Sequence, residues 1–345
     1  MHGPSSSFTA LSDGAAARTA VRSKEIVLRH AAANAPLCTR SVLDPALRVT
    51  VEQPHAAIVV SGGPSLHRTD TAARIKELDF RGIIIAVDGT LFYCLRHGIV
   101  PHYVVTVDPH ETRIVRWFGD PDLATRLGQD DYYERQDYDP AFTQDALRRN
   151  EEVRQAVDRS GPQVRALIAS CSAANVVDRC QQSGMQMFWW NPLMDDYDEG
   201  TSVTAELHRL NGLPALLTGG NVGTTAWVMA HSVLGASHVA LTGMDLAYYP
   251  DTPLRNTQYF YELRDALGGD EGLAGRGYAT IHNPDLGASF YTDPIYYWYR
   301  QTFLELATQA PCRTYNCTGG GILFGEGITT TDLQGFLQHA RSGSA

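Results

Sequence analysis

Short apolar runs alternate along this chain with stretches whose apolar positions recur at helical spacing. Residues 55–60, HAAIVV, 82–87, GIIIAV, and 102–108, HYVVTVD, each read as a strand. Between them, 70–78 and 89–98 read as helices, the first with Asp70 at its N-cap, the second ending on Gly98. Successive strands begin roughly 20 to 25 residues apart, the separation a βαβ unit requires. The runs are continuously apolar rather than alternating, as expected for parallel strands covered on both faces. The alternation resumes with strands at 163–170 and 185–191 around a helix, a short strand at 213–218, a buried helix at 224–233 and a strand in HVALTG, 238–243. Asp293-Pro294 opens an aromatic helix, with Asp as N-cap and Pro in the first turn. The predicted class is α/β: a Rossmann-like, mostly parallel sheet with helices on both faces.

Two stretches break the pattern. Residues 119–160 are charged and aromatic, and read as an inserted segment of loop and exposed helix, serving as a lid, an oligomer contact or a plain surface excursion. Residues 250–290 are polar and glycine-rich and read as a long mobile excursion. The expected organisation is a flexible lead-in and N-terminal helix over 1–45, with the helix at 22–35. One domain then covers 46–330, and a C-terminal helix and tail cover 331–345.

The strand ends concentrate the chemistry, because ligands of open α/β sheets bind beyond the carboxyl ends of strands. The first strand ends in Ser61-Gly62-Gly63-Pro64-Ser65, the second in Asp88-Gly89, the third in Asp108 with His110, and HVALTG in Asp245. Four such ends suggest one crevice. In Thr218-Gly219-Gly220-Asn221-Val222-Gly223-Thr224-Thr225, glycines run into a helix start, where free N–H groups favour a phosphate or carboxylate. Gly219, Gly220, Asn221, Gly223 and Thr224 are therefore candidate phosphate contacts, with close glycine packing of strand on helix as the structural alternative. No Lys follows the last glycine as in a Walker loop, and SGGPS is not the dinucleotide fingerprint. Asp108, His110, Asp245 and His282 are the candidates for acid–base work. Arg113, Arg116 and Arg300 could supply cations. His231, inside an apolar helix, reads as a packed histidine.

Composition narrows the classes. Of 345 residues, 43% are apolar and 19% charged, enough for a sizeable core. The net charge of −10 argues against non-specific nucleic-acid binding. Six cysteines without a CxxC pair read as reduced thiols, with a zinc site the second choice. The absence of a long apolar run and of a secretory pattern leads to the expectation of a cytoplasmic chain without a membrane span.

The segments IVVSGGPSL, IIIAVDGTLFYCLRHGIVPHYVVTVDP, GGNVGTTAWVMAHSVLGASHVALTGMDLAYY, YTDP and YNCTGGGILFG occur in an order that resembles the motility-associated-factor (Maf) glycosyltransferases. Their wider family is that of the 6-hydroxymethylpterin diphosphokinase-like proteins. The resemblance spans about 45–330 and implies a Rossmann-like fold related to bacterial CMP-sialic-acid sialyltransferases. It implies that Gly62 to Ser65 and Gly219 to Thr224 hold a nucleotide and its phosphate, and that hydroxyls such as those of Tyr248 and Tyr249 assist. The implied donor is a CMP-activated nonulosonic acid, the implied acceptor a hydroxyl of flagellin or a surface glycan, and no metal is required. Where those sialyltransferases carry a histidine before a TD dipeptide, this chain has Ala288, and TVDPHE replaces the metal-binding TDLDG of the kinase branch. Two alternatives stand beside the transferase. One is a pterin-type diphosphokinase using ATP and Mg²⁺, with Asp88 and Asp108 as ligands; the other is a non-catalytic nucleotide-binding protein.

Overall fold

A computed structural model describes residues 6–126, 140–269 and 271–342. The chain divides into two compact units, one of Arg22–Ser61 and Arg81–Ala236, the other of Met1–Val21, Gly62–Phe80 and Ser237–Ala345.

In the first unit, β1 (Gln53–Val60), β2 (Gly82–Val87), β3 (Tyr103–Thr106), β4 (Arg165–Ala169), β5 (Gln186–Pro192) and β6 (Ala215–Leu216) lie side by side in chain order. Every pairing is parallel, with Ile58 beside Ile84 and Val105 beside Leu167. All six residues of β2 are buried, which explains its unbroken apolar run. Val104, Ala166, Ile168 and Trp189 form a core with Leu91, Phe118, Val153, Val157, Val176 and Val177 from the neighbouring helical segments. Helix Val222–Val228 packs against β1, β2 and β3 and shares no residue with that core, as a helix on the opposite face must.

The second unit holds three parallel strands and a hairpin. In chain order these are β7 (His238–Thr242), the antiparallel pair β8 (Ala279–Asn283) and β9 (Ala288–Thr292), then β10 (Arg313–Asn316) and β11 (Ile328–Thr330). β10 lies between β7 and β11. Helix Pro294–Gln309 starts as predicted, because the Asp293 carboxylate accepts from the N–H groups of Ile295 and Tyr296 at 2.8 Å each. The chain's described part ends in helix Leu333–Ser342.

Three segments differ from the sequence reading. The N-terminal helix runs from Ser6 to Asn34, starting well before residue 22. Its early part is rich in alanine, the best helix former, and Phe8 is buried edge-to-face with Tyr297 at 5.6 Å. Residues 250–290 are organised: helices Phe260–Leu267 and Leu273–Gly277 and the hairpin surround a cluster of Tyr248, Leu263, Leu273 and Tyr278. The 119–160 segment carries helix Pro140–Ser160, whose Val153, Ala156 and Val157 are buried, so it contributes to the core rather than merely bordering it. Residues 127–139 of that segment lie outside the described residues, as do the first five and the last three.

Arg179 anchors this insertion. Its guanidinium is buried and donates to Phe118 O at 3.0 Å, Gly119 O at 2.8 Å and Asp158 Oδ1 at 2.8 Å. Arg179→Ala strips two carbonyls of their donors and is expected to cost ~3 kcal/mol in urea unfolding. Arg179→Lys is expected to recover only part of that, because an ammonium cannot span three acceptors in a fixed fork. Wild-type stability in the alanine variant would refute the anchor.

Candidate functional site

Strand-end residues gather in two groups, one in each unit. In the unit of β1–β6, Asp88 follows the fully buried β2 and is itself buried. Its carboxylate accepts from the Gly89 N–H at 2.7 Å and from the Thr106 hydroxyl at 3.0 Å. Burial pushes its pKa up to about 6 against those two hydrogen bonds; the nearby Asp108 charge adds to the rise and Arg116 opposes it. Asp108 at the end of β3 is exposed, and its Oδ1 accepts from the His110 N–H at 2.8 Å. The His110 ring accepts at Nδ1 from the N–H groups of Thr112, at 3.3 Å, and Arg113, at 3.4 Å. A neutral His110 therefore carries its proton on Nε2. Arg116 stacks over Trp117 at 4.3 Å, and the Trp117 ring lies beside Gly89.

The glycine segment 218–225 belongs to the same unit, yet much of it is spent on itself. Asn221 caps the helix: its Oδ1 accepts from the Thr224 N–H at 2.9 Å and its Nδ2 donates to Thr224 Oγ1 at 2.9 Å. The Thr225 hydroxyl donates to Thr218 O and Asn221 O, and the Gly220 N–H meets Thr218 Oγ1 at 3.3 Å. A Cβ on Gly219 would lie 2.3 Å from the Thr224 methyl. The N–H of Thr224, predicted as a phosphate donor, is taken by Asn221, while its hydroxyl accepts from Asn221 Nδ2, and Gly219 serves close packing. Gly223 is buried one residue inside the helix. His231, on the same helical segment, has a ring edge-on to Trp227 at 4.4 Å, and burial lowers its pKa.

The second group centres on Asp245, just beyond β7 and 1% exposed. The Ser65 hydroxyl donates to its Oδ2 at 2.7 Å, while Oδ1 is buried without a hydrogen-bond partner. Burial pushes its pKa up to about 7, opposed by the Ser65 hydrogen bonds and the Arg68 charge. The backbone closes tightly around it. The Gly63 N–H donates to Gly243 O at 2.7 Å, and a Cβ on Gly63 would stand 2.0 Å from Asp245 Oδ2. The Thr318-Gly319-Gly320-Gly321 turn covers the other side: a Cβ on Gly320 would meet the Tyr249 hydroxyl at 2.1 Å, and one on Gly321 would meet Asp245 O at 2.1 Å. Leu246 takes a left-handed φ of 49°, which costs a non-glycine residue ~1–2 kcal/mol. Arg68 lies 4.0 Å over the Tyr249 ring and pairs with both oxygens of Asp251 at 2.8 Å.

The remaining predicted residues fall as follows. Gly62 and Pro64 are exposed on the turn, and Ser61 is buried with its Oγ unpartnered. Tyr248 is not a free phosphate donor: its hydroxyl donates to Asp293 Oδ2 at 2.7 Å and accepts from the Gln258 N–H at 3.0 Å. His282 sits on β8 with Nδ1 3.2 Å from Ser289 Oγ. Ala288 pairs with Asn283 across the hairpin, and Asn283 Nδ2 donates to Gly321 O at 2.9 Å. Arg300 donates to Ile322 O at 2.6 Å and Phe324 O at 2.8 Å, which fixes the loop after the glycine turn instead of leaving a cation in solvent. Asn283, Gly320 and Gly321 escaped the sequence reading as site residues, although the glycine run itself was visible there. All six cysteines are free thiols, and no group of three or more metal-ligating side chains occurs among the described residues. No described helix is long and apolar enough to cross a membrane.

Asp245 makes stability depend on pH. Its folded pKa lies above its unfolded value, so its contribution is greatest below about pH 4 and is lost as pH rises towards 7. The wild type minus Asp245→Asn difference in unfolding free energy is expected to fall by a few kcal/mol between pH 5 and 8, and the difference cancels the titration of other groups. Parallel profiles would show that Asp245 titrates normally.

Residues 30–120 match the family model described as 6-hydroxymethylpterin diphosphokinase MptE-like. This stretch holds β1–β3, the SGGPS turn, Asp88 and Asp108. No curated protein matches the chain in sequence. In structure, the chain is similar to a Maf glycosyltransferase from Magnetospirillum magneticum AMB-1, with a TM-score of 0.52 and 16% identity over 92% of this chain. It spans 41% of that protein's length. The chain thus carries an MptE-like segment over residues 30–120 and shares the fold of part of a Maf glycosyltransferase, as its motifs lead one to expect.

Proposed function

We propose that this protein is a glycosyltransferase that moves a nonulosonic, sialic-acid-like sugar from a CMP-activated donor to a hydroxyl of a protein such as flagellin or of a surface glycan. The observation that carries the reading is the fold shared with a Maf glycosyltransferase across 92% of the chain. The carboxyl groups after β2 and β3 support it, since they stand where α/β sheets bind nucleotides. In the transfer, the bond between the sugar's anomeric carbon and the CMP phosphate oxygen breaks, and its electron pair leaves with the phosphate. The acceptor oxygen bonds to that carbon and gives up its proton. Asp108 is the base we assign, because its carboxylate is exposed to an incoming hydroxyl while Asp245 is enclosed. His110, whose N–H donates to Asp108 Oδ1 at 2.8 Å, is the residue we assign to assist the departing phosphate. The reading requires no metal.

The MptE-like match favours one other reading. Asp88 and Asp108 both lie in the matched segment and influence one another electrostatically, and two carboxylates with substrate phosphates make a common Mg²⁺ site. A diphosphokinase would use them to bind Mg²⁺ and ATP.

Thermal unfolding with CMP, CDP, GTP and ATP/Mg²⁺ separates the readings. CMP and CDP are expected to raise Tm by several degrees at saturation. Stabilisation by ATP/Mg²⁺ with none by CMP would overturn the transferase in favour of the kinase. With a CMP-sugar donor, Asp108→Asn is expected to lower kcat by about 10²–10⁴-fold. Unchanged turnover would remove Asp108 as the base.

A further inference from the structure

Asp245 has the surroundings of a framework residue. It is 1% exposed, and glycines occupy the positions nearest its two oxygens: a Cβ on Gly63 would press on Oδ2, one on Gly320 would come within 3.1 Å of Oδ1. No substrate hydroxyl reaches a carboxylate closed in this way. What Asp245 does touch is the SGGPS turn. Its Oδ2 takes the Ser65 hydroxyl at 2.7 Å and faces the Ser65 N–H at 3.4 Å. Two residues earlier in its own segment, Gly243 O takes the Gly63 N–H. Alternate residues of the turn are thus tied to one short stretch, 243–245. That stretch is itself fixed, since the Ile322 N–H donates to Asp245 O at 2.9 Å and the Thr292 hydroxyl donates to Leu246 O at 2.9 Å. The left-handed Leu246 immediately after Asp245 is the strain this arrangement carries.

We propose that Asp245 is a positioning residue that, through Ser65, sets the conformation of the Gly62–Ser65 turn, and that it neither contacts the substrate nor takes its proton. Ser65 is then part of the latch rather than a nucleotide ligand. The role in binding rests on the transferase reading; the latch itself does not.

Hydrogen exchange on the full chain without ligand tests the latch. Ser65→Ala removes only the hydroxyl, and Asp245→Ala removes its acceptor. Each is expected to speed exchange of the Gly63 and Ser65 amides by about tenfold, with β4 and β5 unchanged. Asp245→Asn, which keeps an acceptor oxygen, should restore most of the protection, and the double alanine variant should be no faster than either single one. Unchanged exchange in Ser65→Ala, or additive effects in the double variant, would overturn the latch. Steady-state kinetics with a CMP-sugar then test the role. A rise in donor KM of about tenfold with kcat held within a few-fold is expected for Ser65→Ala and Asp245→Ala. A hundredfold loss of kcat at unchanged KM in Asp245→Ala, spared in Ser65→Ala, would make Asp245 the base and overturn the proposal. If the wild type uses no CMP-sugar, the transferase reading falls, while the exchange experiment still decides the latch.

Discussion

An aspartate excluded from water has to be compensated by its surroundings, and Asp245 receives one side-chain hydrogen bond, from Ser65, with its other oxygen unpartnered. The surrounding unit is arranged around that demand. Gly63, Gly320 and Gly321 lack side chains because Asp245 and the Tyr249 hydroxyl occupy the space. Asn283 on the hairpin holds Gly321 O, and the Arg300 guanidinium holds the carbonyls of Ile322 and Phe324, so the covering turn is pinned from two further elements. Tyr248, three residues on from Asp245, joins the aromatic cluster and donates to Asp293, whose carboxylate starts the aromatic helix. One buried carboxyl thereby links the glycine turn, the hairpin and the helix behind them.

The other unit solves the same problem differently. Asp88 is buried to a similar degree, but its two donors, the Gly89 N–H and the Thr106 hydroxyl, come from separate residues, whereas Ser65 supplies both of those that Asp245 accepts. Burial pushes both pKa values up, that of Asp88 to about 6 and that of Asp245 to about 7.

Much of the fold was legible because parallel strands leave a plain trace. A run such as GIIIAV can be unbroken only where both faces are covered, and each predicted strand of this kind is present. The start of helix Pro294–Gln309 was equally plain, because a cap is a local chemical event. What escaped depends on distant partners. The tyrosines at 248, 278 and 291 meet only after the chain has folded back on itself, so nothing in 250–290 announces a cluster. Helix Pro140–Ser160 did leave a trace, in Val153, Ala156 and Val157 at i, i+3 and i+4, but the charge around them masked it. At the site, the positions of glycines and aspartates were visible, whereas their hydrogen bonds were not. TGGNVGTT looked like an open cradle because the sequence could not show Asn221 satisfying Thr224 first.

The Ser65–Asp245 bond also has a bearing on the order in which the protein is made. Its partners lie 180 residues apart, and Gly320 and Gly321, which close over it, come later still. A ribosome has finished β1 and the turn that follows long before it supplies what holds that turn in place. The strand can form early, but its terminal loop must wait for partners 180 residues on, and closing so large a loop is a slow, entropically costly event. The turn that follows the first strand therefore acquires its shape only after residues 320 and 321 have been made, which keeps it unformed on the nascent chain until then.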